Sequence, residues 1–326
     1  MIRSFEIRDL AWLRRYRDHA LFTNSQAALL WGEGLVTWGA LLSPLSSLTG
    51  LFTAFSRNST SRFPFIGQVQ HRLGSSYAQL SFLAPDRHLD SPVLPELVEH
   101  LMAQIGARGA QSLVADVEED SPAFLTLHGA SFSIYARQRI WRLEKASSAQ
   151  PGAWRPVADM DELAVHLLCD SLVPGFVQQV EPAPGTPLRG YVLQRAGQLV
   201  AYVELRRGIR GSWLQPFVGM DTDLSADELA ALFSLLRPSR RRPLFICLRS
   251  YQDWLEAPLR ALGAEPGPRQ ALMVRRTARP LKVKEKPVFA RSERGRTEPT
   301  TPIHAPYPIM GRENELIQYD PTTNHR

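Results

Sequence analysis

The chain opens on residues 2–8 (IRSFEIR), where apolar and polar positions alternate as in a strand with one buried face. The period then lengthens. Leu10, Leu13 and Tyr16 share one face of a short helix with arginines on the other, and Asp9 stands at its N-cap. Residues 51–55 give another strand. Residues 65–72 and 76–83, separated by Leu73-Gly74-Ser75, read as an antiparallel hairpin. The clearest helix of this half covers residues 92–107. Leu94, Leu97, Val98, Leu101 and Ile105 recur at three and four, Ser91 and Pro92 suit its start, and Gly109 lies just past its end. Residues 112–117 form a short strand, and Asp120 or Ser121 opens a helix with Pro122 in its first turn. Residues 132–143 (FSIYARQRIWRL) alternate again and close the unit.

A polar linker of small residues, 144–153, follows, and the same order of elements then recurs. Residues 154–157 predict a strand, and 161–173 a helix capped by Asp159. Residues 191–195 and 199–206 form a hairpin around Ala196-Gly197, and 212–218 a third strand. The helix over 225–236 carries a capping box, Ser225 with Glu228. Strand 243–248, helix 252–262 and strand 270–276 complete the second unit. The repeat is one of pattern and not of letters.

From residue 277 the apolar period stops and Pro, Arg, Thr and Glu dominate, so residues 277–326 are expected to form a disordered basic tail. The expected domains are therefore 1–143, the linker 144–153, 154–276 and the tail. Composition supports real cores: 326 residues, 44% of them hydrophobic, suffice for two domains. The formal net charge is +6, and the basic residues are nearly all arginine, which pairs with carboxylates and phosphates. The tail's residues 277–296 are its most basic stretch, where nucleic acid or an acidic membrane surface could be gripped, and Arg240-Arg241-Arg242 is a second short basic run that reads first as a solvated loop.

Two cysteines, Cys169 and Cys247, lie far apart in apolar runs. This makes no metal spacing and no disulfide framework, and suits a reducing cytoplasm. His71, His88, His100 and His128 show no metal-binding spacing. Residues 34–56 contain no charged side chain. Pro44 and three glycines dilute that stretch, so no transmembrane span is expected.

Residues 120–132 (DSPAFLTLHGASF) resemble a motif of the GNAT (GCN5-related N-acetyltransferase) superfamily, in which a short helix carries Asn, Ala and Tyr and runs into Gly-Phe. Asp120 takes the Asn place, Ala123 the Ala place, Leu127 the Tyr place, Ser131 the Gly place, and Phe132 keeps the Phe. Residues 252–264 resemble the same motif more weakly, with Leu259 at the Tyr place and Gly263 at the Gly place. The order of elements matches as well. The resemblance implies an α/β (α+β) chain of two tandem GNAT-like modules, each a mixed, mostly antiparallel sheet flanked by helices.

It also implies acetyl-CoA as cofactor, its pyrophosphate cradled by a Gly-rich loop and the N-terminus of the main helix, and an amine as acceptor, small molecule or protein. In the first half that loop reads APDRHLDSPV (residues 84–93), which makes Arg87, His88 and Ser91, with Asp120 nearby in the motif, the cofactor-binding candidates. It has no glycine, and Pro92 removes one N–H. In the second half the loop (residues 219–229) carries Asp221, Asp223, Asp227 and Glu228, which would satisfy the helix dipole and repel a pyrophosphate. The family's Tyr protonates the departing thiolate, and leucine cannot. Tyr135 and, in the second half, Tyr251 are the candidate substitutes, and Glu204, on a predicted central strand, the candidate base. Three functions follow: an acetyl-CoA-dependent N-acyltransferase, a catalytically inactive GNAT-like binding or scaffold protein, or a nucleic-acid or membrane-surface protein acting through its tail.

Overall fold

A computed structural model of the chain describes residues 2–277, apart from residues 17, 35–38, 42–45, 58–62, 90, 147–151 and 182. The expected tail beyond Thr277, much of the expected linker and part of the uncharged stretch 34–56 lie outside the described residues. No helix of the described residues is long and apolar enough to cross a membrane.

The first half contains β1 (Ile2–Ser4), α1 (Leu10–Arg15), β2 (Leu21–Phe22), α2 (Ser25–Trp31), β3 (Leu51–Ser56), β4 (Phe65–His71), β5 (Tyr77–Ala84), α3 (Val93–Gly106), β6 (Ser112–Glu118), α4 (Pro122–Gly129) and β7 (Ser133–Leu143). The second contains β8 (Trp154–Pro156), α5 (Glu162–Leu172), α6 (Gly175–Gln178), β9 (Gly190–Arg195), β10 (Gln198–Arg207), β11 (Ser212–Val218), α7 (Ala226–Leu236), β12 (Leu244–Arg249), α8 (Glu256–Ala261) and β13 (Glu265–Arg276). Sheet and helices thus form the mixed α/β arrangement that the periodicity predicts.

All strands join one sheet in the order β1-β3-β4-β5-β6-β13-β7-β12-β11-β10-β9-β8, with β2 pairing to β5 beside this path. The order reads alike from both ends once each strand is matched with its counterpart in the other half. The closing strands are exchanged. β7, expected to close the first unit on itself, pairs with β12 of the second half, and β13 lies between β6 and β7, antiparallel to both.

Two cores line one side of the sheet. In the first, α3 buries Leu94, Leu97, Val98, Leu101 and Ile105 completely, as their spacing predicts. Each contributes about 2 kcal/mol of apolar burial. Gly67 on β4 lets this helix approach closely, since a Cβ there would stand 3.0 Å from Leu101 and 3.2 Å from Leu97. In the second, Leu229, Leu232 and Phe233 of α7 pack on β10, β11 and β12. On the opposite side α1 and α5 cover their own halves, but the next helices cross over. Leu30 of α2 packs with Trp213 and Phe245 of the second half. Val177 of α6 packs with Val114 and Tyr135 of the first.

Two local features repeat between the halves. The expected strand at 2–8 stops at Ser4 because Arg3 forms a bidentate pair with Asp9 (2.7 and 2.7 Å), while the Glu6 N–H donates to the same carboxylate (2.9 Å), closing a tight turn. Arg155 and Asp161 do the same at 2.6 and 2.7 Å, with the Ala158 N–H at 2.9 Å. Asp161, and not the expected Asp159, therefore organises the start of α5. Arg155 holds its carboxyl below the usual range, against the opposing effect of burial. The second feature is the turn after α4 and α8. Ser131 and Gly263 take φ of +64° and +77°, and the following N–H groups bond back to the Leu127 and Leu259 carbonyls. The expected helix 252–262 is instead a tight turn (Ser250–Leu255) followed by α8, broken at Gln252.

Candidate functional site

In the first half, Arg87 and His88 stand exposed on the turn after β5, and His88 stacks on Phe63 (ring centres 5.6 Å apart). Ser91 occupies the helix N-terminus itself. Its hydroxyl accepts from the Val93 N–H (3.4 Å) and its carbonyl from the Leu94 N–H (3.1 Å), and Pro95 has no N–H to offer. Asp120 is on another connection, exposed in the turn between β6 and α4. In the second half the capping box forms: Ser225 and Glu228 exchange backbone-to-side-chain bonds (2.9 and 3.2 Å). Arg195 grips Glu228 through both carboxylate oxygens, each at 2.7 Å. Although burial pushes the other way, these partners hold the Glu228 carboxyl below its usual range. The N-terminus of α7 thus carries a carboxylate where a pyrophosphate would need donors and no negative charge. Leu127 and Leu259, at the places of the family's Tyr, are buried in the two cores.

The parallel pairs at the centre of each half diverge. β5 and β6 stay together only from Tyr77/Ser112 to Gln79/Val114, and β11 and β12 only from Ser212/Leu244 to Leu214/Ile246. Beyond these points, facing backbone groups are left for a third partner. In the first half the chain supplies it. The Thr23 N–H donates to the Ser81 carbonyl (3.1 Å), and the Thr23 carbonyl accepts from the Asp116 N–H (2.9 Å). The Thr23 hydroxyl donates to the Leu80 carbonyl (2.9 Å), and the residue is wholly buried. The neighbouring Leu21 and Phe22 pair with β5. In the second half the Gln252 carboxamide, oriented to satisfy both partners, donates to the Pro216 carbonyl (2.7 Å) and accepts from the Val218 N–H (3.0 Å). The acetyl-CoA that the resemblance implies does not fit these places: Thr23 bridges the first gap, and a capping box sets a carboxylate at the N-terminus of α7.

The face of the sheet opposite α3 and α7 gathers polar side chains from both halves. Arg249 of β12, its side chain 8% exposed, donates from Nη2 to both Glu181 oxygens (2.9 and 2.7 Å). Its Nε and Nη1 are buried without a hydrogen-bond partner among the described residues. Burial opposes its charge, but Glu181 more than restores it. Tyr135 of β7 donates to the same Glu181, so its proton is committed there. Burial, then the adjacent Glu181 charge, pushes this phenol well up, which makes it a weak acid. Asp116 of β6 accepts from the Ser25 N–H (3.0 Å) and Gln79 (3.3 Å). Though partly open at its surface, it is enclosed enough that burial pushes its carboxyl up to about 6, against the pull of Ser25 and Arg249. Glu204 on β10 is held by Arg206 Nε and Nη2 (3.0 and 2.9 Å), and Arg206 also reaches Gln26 (3.1 Å). Structure therefore sets Tyr135 and Glu204 on this shared face and keeps Arg87, His88, Ser91 and Asp120 off it. Thr23, Asp116, Glu181, Arg249 and Gln252 were not candidates from sequence. Their roles depend on residues dozens of positions away. Among the described residues, no group of His, Cys, Asp and Glu could hold a metal ion.

A cavity of about 540 Å³ opens over the middle of the same face, floored by Ile140 and Phe245 and walled by β2, α2 and the start of β13. A smaller one, about 170 Å³, lies beside Glu181, Gln215, Phe217 and Tyr251.

No known family profile matches the sequence, and no curated protein sequence matches it. Solved structures do. A GCN5-related N-acetyltransferase from Sphaerobacter thermophilus superposes with a TM-score of 0.51 at 11% identity, covering 86% of this chain and 96% of that one. A Pyrococcus horikoshii protein assigned as an acetyltransferase gives a TM-score of 0.51 at 13% identity, over 85% and 89%. A tandem GNAT protein of the clavulanic acid biosynthesis pathway is also similar, with a TM-score of 0.48 at 13% identity over 86% and 99%. At these identities the likeness is one of architecture. With the internal repeat of elements, turns and ion pairs, it shows that the chain carries the GNAT fold twice in tandem, as a mixed sheet flanked by helices.

Proposed function

We propose that this chain is a GNAT-fold binding protein that does not hold acetyl-CoA at the places the resemblance assigns to it. One observation carries the reading: Thr23 bridges β5 and β6 with backbone and side chain, so the gap of the first half is closed by the protein itself. In the second half the Gln252 carboxamide satisfies two backbone groups of β11 alone. The capping box at the N-terminus of α7 supports the same reading. Acetyl transfer to an amine is the competing reading, and two of the proton-handling groups expected from sequence are engaged by other side chains. Tyr135 is tied to Glu181 and Glu204 to Arg206, and both would have to be released first. We place the protein in a reducing compartment such as the cytoplasm. Its two free cysteines are buried, and burial first of all pushes both thiols up to about 12.

Calorimetric titration of the full chain with acetyl-CoA and with CoA tests this. The expected result is no saturable heat at about 1 mM, a ceiling of roughly −4 kcal/mol on binding. A micromolar dissociation constant that weakens on Arg87→Glu would overturn the reading in favour of the transferase.

A further inference from the structure

We propose that two arginine-rich connections at one end of the second half, with the exposed Trp31 beside them, bind single-stranded nucleic acid. The inference goes beyond the reading above and does not depend on what happens at the acetyl-CoA places.

Arg240-Arg241-Arg242 belong to the connection between α7 and β12, residues 237–243. Sequence alone gives this run no companions, and the fold supplies them. The connection between β10 and β11, residues 208–211, lies alongside. Arg242 Nη2 donates to the Gly208 carbonyl (3.1 Å), and the Ser212 N–H donates to the Pro243 carbonyl (3.0 Å). This second connection adds Arg210, and Arg207 ends β10 next to it. Arg207, Arg210, Arg240, Arg241 and Arg242 are all exposed. The C-terminal end of α2 seats on the same connection. The Arg210 N–H donates to the Leu30 carbonyl (3.0 Å), and a Cβ on Gly32 would stand 2.9 Å from Arg210 Cδ, so glycine there lets the arginine lie across the helix end. Trp31, between those two residues, is 42% exposed.

Neither connection carries a carboxylate. The carboxylates at the border are Glu33, just past α2, and Glu144, which pairs with Arg142 at 2.8 Å and reaches the well-exposed Arg240 at 3.5 Å. Arg207, Arg210 and Arg241 form no ion pair among the described residues. The duplication gives an internal comparison. The corresponding connections of the first half, residues 72–76 and 107–111, hold Arg72 and Arg108, and Arg108 already stacks over Phe52 at 4.1 Å. The fold is therefore built without the extra arginines, and their mutual repulsion is a cost that a polyanion relieves. A guanidinium fork takes two oxygens of a phosphodiester and also stacks on a base. An exposed indole offers its face to an unpaired base. The arginines sit on short connections and not on a helix, so no element is presented to a duplex groove. Trp31 and Ile209, the large apolar side chains exposed on these elements, offer too little surface to anchor in a bilayer.

The test adds the full chain to fluorescein-labelled oligouridylate or oligothymidylate of about 12 nucleotides and follows anisotropy across a salt series. Saturable binding of either strand is expected. Arg240→Gln/Arg241→Gln, at two exposed positions, should weaken it at least about tenfold and lower the slope of log Kd against log salt by about 1.4, the single-strand value for two phosphate contacts. Trp31→Ala should weaken it about tenfold with the slope unchanged, because stacking releases no counterions. Lys282→Gln/Lys284→Gln/Lys286→Gln, in the basic tail, should cost less than the arginine variant. No saturation at about 100 μM protein, parental binding in the arginine variant or in Trp31→Ala, or a larger loss in the tail variant would each overturn the proposal. So would sedimentation with phosphatidylserine vesicles that depends on Arg240 and Arg241 while neither oligonucleotide binds. Each of these failures leaves the reading on acetyl-CoA as it stands.

Discussion

Gln252→Ala strands two backbone groups. The side chain is 1% exposed, and its carboxamide is the partner of the Pro216 carbonyl and the Val218 N–H where β11 has parted from β12. Leaving a buried donor or acceptor unsatisfied costs about 1–3 kcal/mol each, so the pair predicts a loss of about 2–6 kcal/mol. For a unit of this size, with a urea slope of about 3 kcal/mol per molar, the unfolding midpoint falls by roughly 1–2 M. Gln252→Met separates hydrogen bonding from packing, since it keeps the volume and removes only the amide. The assay is urea unfolding followed by circular dichroism, with unchanged slope as the sign that the folded state is comparable. If both variants lose stability together, the amide is the partner of the two β11 groups left where that strand parts from β12. A methionine variant with the parent's midpoint would refute the reasoning, because the two backbone groups would then have other partners.

Asp116 gives a pH prediction. Its folded-state carboxyl sits at about 6, above the ordinary 3.8, so the folded protein takes up a proton more readily than the unfolded chain. Stability from this group is fully present below about pH 4 and is lost as pH rises to about 6. The change is at most about 3 kcal/mol, less whatever water the partly open carboxylate meets. Asp116→Asn should remove that fall, and urea midpoints measured at pH 4.5 and 7 in both proteins check it. The exchanged strands predict that the chain, divided within residues 147–151 and expressed as two polypeptides, purifies as a one-to-one complex through β7, β12 and β13. Two separate monodisperse monomers on size-exclusion chromatography would contradict the exchange.

What could be read from the sequence was local. The stripe on α3, the capping box at Ser225 and Glu228 and the hairpin around Ala196-Gly197 each depend on neighbours within a few positions, and all are present. The family motif was legible at Ser131, whose positive φ shows why glycine is common there. Arg3…Asp9 and Arg155…Asp161 repeat in letters and spacing, and would have been the sharpest sign of duplication. The exchange of β7 and β13 had no local signature, because alternation says which face is buried but not which strand lies alongside. The same limit hid the site. Thr23 is an ordinary hydroxyl in sequence and acquires its role from Ser81, Leu80 and Asp116. Tyr135 acquires its own from Glu181, 46 positions away.

The exchanged strands also set a timetable for synthesis. Val114 pairs with Val274, 160 positions later. The edge of β6 therefore stays without its neighbour until the chain's last described strand has left the ribosome. At about 5–20 residues per second, β7 waits roughly 7–27 s for β13. During that interval β6 and β7 can pair with each other, closing the first half on itself, and that arrangement must reopen before the final sheet can form. Such pairing predicts a folding phase set by the exchange of strand partners, which slower translation should lengthen.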